Sequence, residues 1–310
     1  MAQTFFPIDP VDVTPVTTGA WTDVDISAYA PAGATGALLH CYNTDYSGWE
    51  LSLRKKGSTD NYVSDLGAIT HCWAAIGVDA NRKFQAYIGT DSVHILLVGY
   101  TMSGVTFLTN SVDKSPASLG VWADMDCSAE APNAIGLIFW IETIAVGRHF
   151  GLRKKGSTDA RTNLTDQFNC FGAIIGCDAS QVCQGYRDAN GIFLRLVGYI
   201  TDGATFNTNA TDVSLGSTGS WLDLAALPGG AVMGFIEVVN TGGYNYGLRK
   251  NGSSENIIYA AYMHPWAFVQ CDSGGVIEGQ ISNLNVDFFL VGYAIGPLQA
   301  SVYDTEYAYV

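Results

Sequence analysis

Charge is what this sequence has little of. Charged residues occupy 14% of its 310 positions, against about a quarter in an ordinary soluble domain, and lysine is scarce among them. The formal net charge of -14 excludes nucleic acid as the expected partner, since phosphate binding needs a clustered positive face. No apolar run reaches the roughly 18 residues of a spanning helix, so no membrane insertion is expected. The opening Met1-Ala2-Gln3-Thr4-Phe5-Phe6-Pro7 lacks a basic region followed by an apolar one, and no secretory signal is expected.

The marks of catalysis are missing as well. The chain carries no Gly-x-Ser-x-Gly, no phosphate loop ending in Gly-Lys-(Ser/Thr), no His-Glu-x-x-His and no Asp-x-Asp-x-Asp-Gly calcium loop. Seven cysteines, an odd number at non-repeating positions, read as small buried side chains of a protein made in a reducing cytoplasm. Cys170, Cys177 and Cys183 cluster, but six and five residues separate them, where zinc sites want short Cys-x-x-Cys pairs. The expectation is a non-enzyme without metal or cofactor.

What the chain does have is repetition. Leu53-Arg54-Lys55-Lys56-Gly57-Ser58-Thr59-Asp60 returns as Leu152-Arg153-Lys154-Lys155-Gly156-Ser157-Thr158-Asp159 and as Leu248-Arg249-Lys250-Asn251-Gly252-Ser253-Ser254-Glu255. From Arg54 to Arg153 is 99 residues, and from Arg153 to Arg249 is 96. Leu97-Val98-Gly99-Tyr100 keeps the same step at Leu196-Val197-Gly198-Tyr199 and Leu290-Val291-Gly292-Tyr293, as do Trp21, Trp122 and Trp221. A unit this long exceeds the roughly 20 to 50 residues of a solenoid repeat and matches a whole small domain.

Within each unit, short period-two runs bounded by Gly and Pro read as strands. Trp49, Leu51 and Leu53 face one way and Glu50, Ser52 and Arg54 the other, so the arginine points away from the core. Asp79, Asp178 and Asp272 mark the corner of what reads as a hairpin. The closing run, Val93 to Tyr100, is nearly continuous in apolar residues and reads as a strand covered on both faces. The expected fold is all-β: three tandem β-sandwich, jelly-roll-like domains with N- and C-terminal arms. The boundaries are an arm at 1–17, repeats at 18–104, 105–203 and 204–297, and a tail at 298–310. Val105 to Asn110 and Ala204 to Asn209 read as parts of ordered connectors.

Arg54, Arg153 and Arg249 with Asp79, Asp178 and Asp272 are the candidate inter-domain or partner contacts, because a guanidinium grips a carboxylate through two parallel hydrogen bonds. The alternative is a solvated turn whose charge protects a strand end. Phe5 and Phe6 in the arm, and Tyr307 and Tyr309 in the tail, are candidate assembly contacts. His71 and His264 share a repeat position whose second-copy occupant reads as Asn169, each followed by an aromatic residue. Trp49, Trp73 and Trp266 would be the stacking residues of a carbohydrate-binding module, although the strand register puts Trp49 on the core face.

The units Trp-x-Asp-(Ile/Val/Leu), Gly-Leu-Arg-Lys-(Lys/Asn)-Gly-Ser and Leu-Val-Gly-Tyr resemble tandem-repeat structural proteins of bacteriophages and environmental viruses, of the decoration, fibre or tail type, over about 20–297. That resemblance implies a virion component that contacts other virion proteins or its own copies, with no catalytic residues to carry over. A lectin-like module recognising a host-surface glycan is the alternative.

Overall fold

A computed structural model describes residues 3–144, 147–165, 169–224, 226–260 and 264–296. Repeat 1 comprises β1 (Phe5–Asp12), β2 (Thr22–Asp25), β3 (Gly36–Asn43), β4 (Trp49–Lys55), β5 (Ser64–Leu66), β6 (Thr70–Gly77), β7 (Lys83–Ile88) and β8 (Val93–Thr101). Repeat 2 comprises β9 (Val105–Asp113), β10 (Ala123–Asp126), β11 (Gly136–Thr143), β12 (Arg148–Lys154), β13 (Asn163–Thr165), β14 (Cys170–Gly176), β15 (Val182–Arg187) and β16 (Ile192–Ile200). Repeat 3 comprises β17 (Ala204–Asp212), β18 (Leu222–Asp223), β19 (Ala231–Asn240), β20 (Asn245–Lys250), β21 (Tyr259–Ala260), β22 (Trp266–Gln270), β23 (Ile277–Ile281) and β24 (Val286–Ile295). Among the described residues there is no helix.

In every repeat the chain passes back and forth between two antiparallel four-stranded sheets, with one hairpin, β4–β5, β12–β13 or β20–β21, inside a sheet. Their orders are β1-β8-β3-β6 and β2-β7-β4-β5, reproduced as β9-β16-β11-β14 with β10-β15-β12-β13, and β17-β24-β19-β22 with β18-β23-β20-β21. This is jelly-roll wiring. β8, the most continuously apolar run, lies between β1 and β3, inside its sheet.

The repeats are not strung in tandem as expected. The six sheets stand around a shared centre like the blades of a six-bladed propeller, with β6, β14 and β22 packed against one another. These three innermost strands hold the reason: Cys72, Ala74, Phe171, Ala173, Trp266 and Ala267 are all fully buried. A strand with apolar residues on both faces has to be covered on both. One face meets its own repeat and the other meets the two neighbours.

Three further expectations are corrected. Residues 5–12 are not an arm: β1 pairs antiparallel with β8, Phe5 opposite Thr101 and Asp12 opposite Leu96. β9 and β17 are likewise first strands, not connectors. The turn at Asp79 is not a hairpin corner either, since β6 pairs with β3 while β7 pairs with β2 and β4. It carries the chain from one sheet to the other.

Candidate functional site

Each arginine of the repeated motif spends its donors inside its own repeat. Arg54 Nε donates to Gln85 Oε1 at 2.9 Å, Nη1 donates to the Asp60 carbonyl, and the guanidinium lies 4.0 Å from the Trp21 ring centroid. Arg153 does the same with Gln184, Asp159 and Trp122. Arg249 uses Glu278 at 2.7 Å, the Glu255 carbonyl at 2.7 Å and Trp221 at 4.0 Å. Asp79, Asp178 and Asp272 do not meet these arginines; each carboxylate accepts backbone N–H groups two and four residues ahead and caps its own turn. The arginine therefore shapes the 54–60 loop on the indole of its own repeat, and the docking is done by the residues after it.

At the seam between repeats 1 and 2, Asn110 Oδ1 accepts from Ser58 Oγ at 3.0 Å and from the Thr59 N–H at 2.9 Å. Asp60 Oδ2 accepts from the Ser111 N–H at 2.7 Å, and Lys55 Nζ donates to the Phe107 carbonyl at 3.0 Å. The Phe107 ring lies against Gly36 and Gly77, where any Cβ would collide with it. The seam between repeats 2 and 3 repeats every part with Asn209, Ala210, Lys154, Phe206, Gly136 and Gly176. Sequence reading assigned these partners to connectors. The signal was the paired Thr-Phe-x-Thr-Asn at 106–110 and 205–209, which repeats as faithfully as the arginine motif.

Repeat 3 closes on repeat 1 without this lock. The register puts Pro7 where Phe107 and Phe206 stand, and Met233 and Gln270 where the glycines stand. Pro10 replaces Ser111 and has no N–H for Glu255. Asp9 replaces Asn110, is 91% exposed at its side chain, and stands 3.9 Å from Lys250. Clefts of about 720 and 660 Å³ open here, the larger lined by Phe6, Tyr100, Lys250 and Gln270, the other by Asp9, Pro10 and residues 250–255.

Buried polar groups differ from seam to seam. Arg195 donates to Glu142 at 2.7 Å, stacks 3.4 Å from the Tyr62 ring centroid, and Glu142 accepts from Ser64 of repeat 1. Arg161 bonds Glu237 of repeat 3 at 2.6 Å and lies 4.2 Å from the Phe289 ring. His264 sits between Glu237 at 2.7 Å and the Phe150 carbonyl at 3.1 Å. At the closing seam, His40 Nδ1 faces Glu255 at 3.4 Å and its Nε2 meets His71 Nδ1 at 3.1 Å. Tyr42 lies opposite His71 and Glu142 lies opposite Cys170, so Cys170, not Asn169, is the second-repeat counterpart of His71. Cys170 Sγ reaches the Leu51 carbonyl of repeat 1 at 3.0 Å, as His264 reaches Phe150.

Among the expected assembly residues, Phe5 is fully buried and packs edge-on to Phe235 of repeat 3, with ring centroids 5.5 Å apart. Phe6 stacks on Tyr100 at 5.1 Å. Tyr307 and Tyr309 lie outside the described residues. Of the proposed sugar platform, Trp73 is 2% and Trp266 0% exposed, and Trp49 is partly covered. Among the described residues no three His, Cys, Asp or Glu side chains gather as metal ligands.

No protein-family model matches the chain, and no curated protein matches it. Several chains of solved structures match it, two of them at 9% and 10% identity. One comes from work on the triple jelly roll fold and turret assembly in an archaeal virus: 9% identity over 94% of this chain and 91% of the other, TM-score 0.26. The other comes from the atomic structure of Sulfolobus Turreted Icosahedral Virus: 10% identity over 95% and 92%, TM-score 0.25. Superposition this loose carries no weight for function.

Proposed function

We propose that this chain is a non-enzymatic structural component of a virion, either decorating a capsid or forming part of a tail or fibre. The observation that carries this reading is the closure of three jelly-roll repeats around one centre by a single chain. Such a body has the shape of a trimer while presenting three unlike faces, and suits a threefold position in a shell. Buried His71, His264, Glu142, Glu237 and Arg195 lie at the joints between repeats.

One end of the body is equipped for contact. Val16, Tyr46, Leu119, Val121, Ile144 and Leu284 are large apolar side chains left in solvent. They fall in the β1–β2, β3–β4 and β7–β8 loops or their repeats, which antiparallel wiring brings to the same end. These side chains are 42–100% exposed, against 37–43% for Tyr29, Tyr62, Val63 and Ile135 in the loops of the other end, and the more exposed end is read as the contact face. The glycan-binding alternative has lost Trp73 and Trp266 to the core.

Negative-stain electron microscopy with native mass determination tests the reading. Rings, fibres or lattices that disappear in a Tyr46→Ser, Leu284→Ser variant are expected. A closed, even-numbered oligomer without any threefold feature would overturn the threefold placement, and a glycan-array hit would overturn the structural role in favour of recognition.

A further inference from the structure

The three seams join equivalent surfaces with unlike chemistry, and this asymmetry does not depend on the virion reading. The first two carry an arginine–carboxylate pair, a cation over an aromatic ring and an asparagine that receives the preceding loop. The closing seam has lost the asparagine, the backbone donor at Pro10 and the phenylalanine ring between glycines. Its buried polar contact is a histidine pair beside one glutamate.

We propose that the closing seam is an acid-opened gate: protonation of the His40–His71 pair parts repeat 3 from repeat 1 along Asp9, Pro10 and the 250–255 loop, while the other two seams stay shut. His40 Nε2 and His71 Nδ1 lie at hydrogen-bond distance, 3.1 Å, while His40 Nδ1 stands 3.4 Å from Glu255 Oε1 without a hydrogen bond to it. His71 Nε2 is buried without a partner, its ring 4.5 Å from that of Tyr246 in repeat 3. A proton added to His71 charges a ring that is fully buried, 3.1 Å from His40 and without a partner at Nε2, where the charge is poorly solvated.

The surroundings offer His71 no rescue. Trp73 stacks 4.1 Å from His40 on β6, and Tyr42 on β3 is stacked on His94 of β8. β20 contributes Tyr246, and β21 contributes Tyr259, 6.1 Å from His71. Asp9, Arg249, Lys250 and Glu255 line the crevice with His40. Of its two carboxylates, Glu255 already faces His40 and Asp9 stands in solvent, and the two cations are matched by Glu278 at 2.7 Å from Arg249 and Asp9 at 3.9 Å from Lys250. Burial, and then His40, holds the His71 pKa well below the ordinary imidazole value. The closed seam therefore keeps its full stability above about pH 6.5 and loses it as pH falls below, because the opened form binds the extra proton.

Hydrogen–deuterium exchange of the intact protein between pH 7.5 and 4.5, corrected for intrinsic exchange, tests this. Protection of peptides spanning 5–12 and 250–256 is expected to fall by about tenfold per pH unit below 6.5, the signature of one proton taken up on opening. Peptides spanning 105–113 and 204–212 report the other two seams and are expected to stay protected. Equal loss at all three first strands, or no loss at any, overturns the proposal using the wild-type protein alone. His71→Gln is expected to flatten the response of the closing seam, and an unchanged slope in a folded H71Q overturns it as well.

Discussion

Arg195 of repeat 2 lies over the ring of Tyr62 in repeat 1, its guanidinium carbon 3.4 Å from the ring centroid. At the next seam the register puts Arg161 at the position of Tyr62 and Phe289 at that of Arg195, and cation and ring meet again at 4.2 Å with their sides exchanged. At the closing seam the same two positions hold Ile257 and Leu96. Each arginine also neutralises a buried carboxylate, Glu142 or Glu237.

Arg161→Met is therefore expected to cost about 3 kcal/mol, since it leaves Glu237, 1% exposed, with His264 as its remaining partner in the interior. Denaturant unfolding measures it. Lys250→Met, which removes a 3.9 Å pair to exposed Asp9, is expected to leave stability unchanged within about 0.5 kcal/mol. Equal effects of the two would refute the difference in burial drawn between the seams.

Gly77→Ala and Gly176→Ala place a Cβ 2.5 Å from the Cβ of Phe107 and Phe206. Overpacking of this kind costs about 1–3 kcal/mol, lowering the melting temperature by several degrees. Calorimetry measures the loss.

Arg54→Ala removes the stack on Trp21 and two hydrogen bonds, all within repeat 1. A loss of about 1–2 kcal/mol is expected with no change in assembly state. A shift in size-exclusion elution at low concentration would restore the docking role that the sequence pattern suggested.

All seven cysteines are buried. Burial pushes the thiols of Cys41, Cys170 and Cys183 well up, that of Cys177 to about 12 and that of Cys271 to about 11. The folded chain is expected to resist alkylation at pH 8. Cys127, whose thiol is drawn down by its hydrogen bond with Cys183, is expected to label first in mild denaturant. Because the unfolded thiols ionise near pH 8.5 and the folded ones later, stability falls as pH rises past that value. A flat melting temperature from pH 8 to 10 would contradict this.

The sequence by itself determined the threefold repetition, the all-β class, the apolar strand β8 and the outward turn of Arg54, because each is written in local period and spacing. It could not decide which strands pair: Asp79 caps a turn that looks like a hairpin corner, and only the long-range ladders show β6 and β7 in different sheets. Nor could it place Phe5, Asn110 or Phe107, which resemble arm or connector residues until β1, β9 and β17 pair with the last strands of their own repeats. The alternation puts Ser52 on the outer face of β4, and it is nonetheless 1% exposed, because β5 of its own repeat covers it, the Ser64 N–H donating to Ser52 Oγ at 3.1 Å. Tertiary structure alone decided that the three units close into a ring, since the contacts that close it join residues as far apart as His40 and Glu255. The interaction of such residues depends on how whole sheets pack, which no local pattern records.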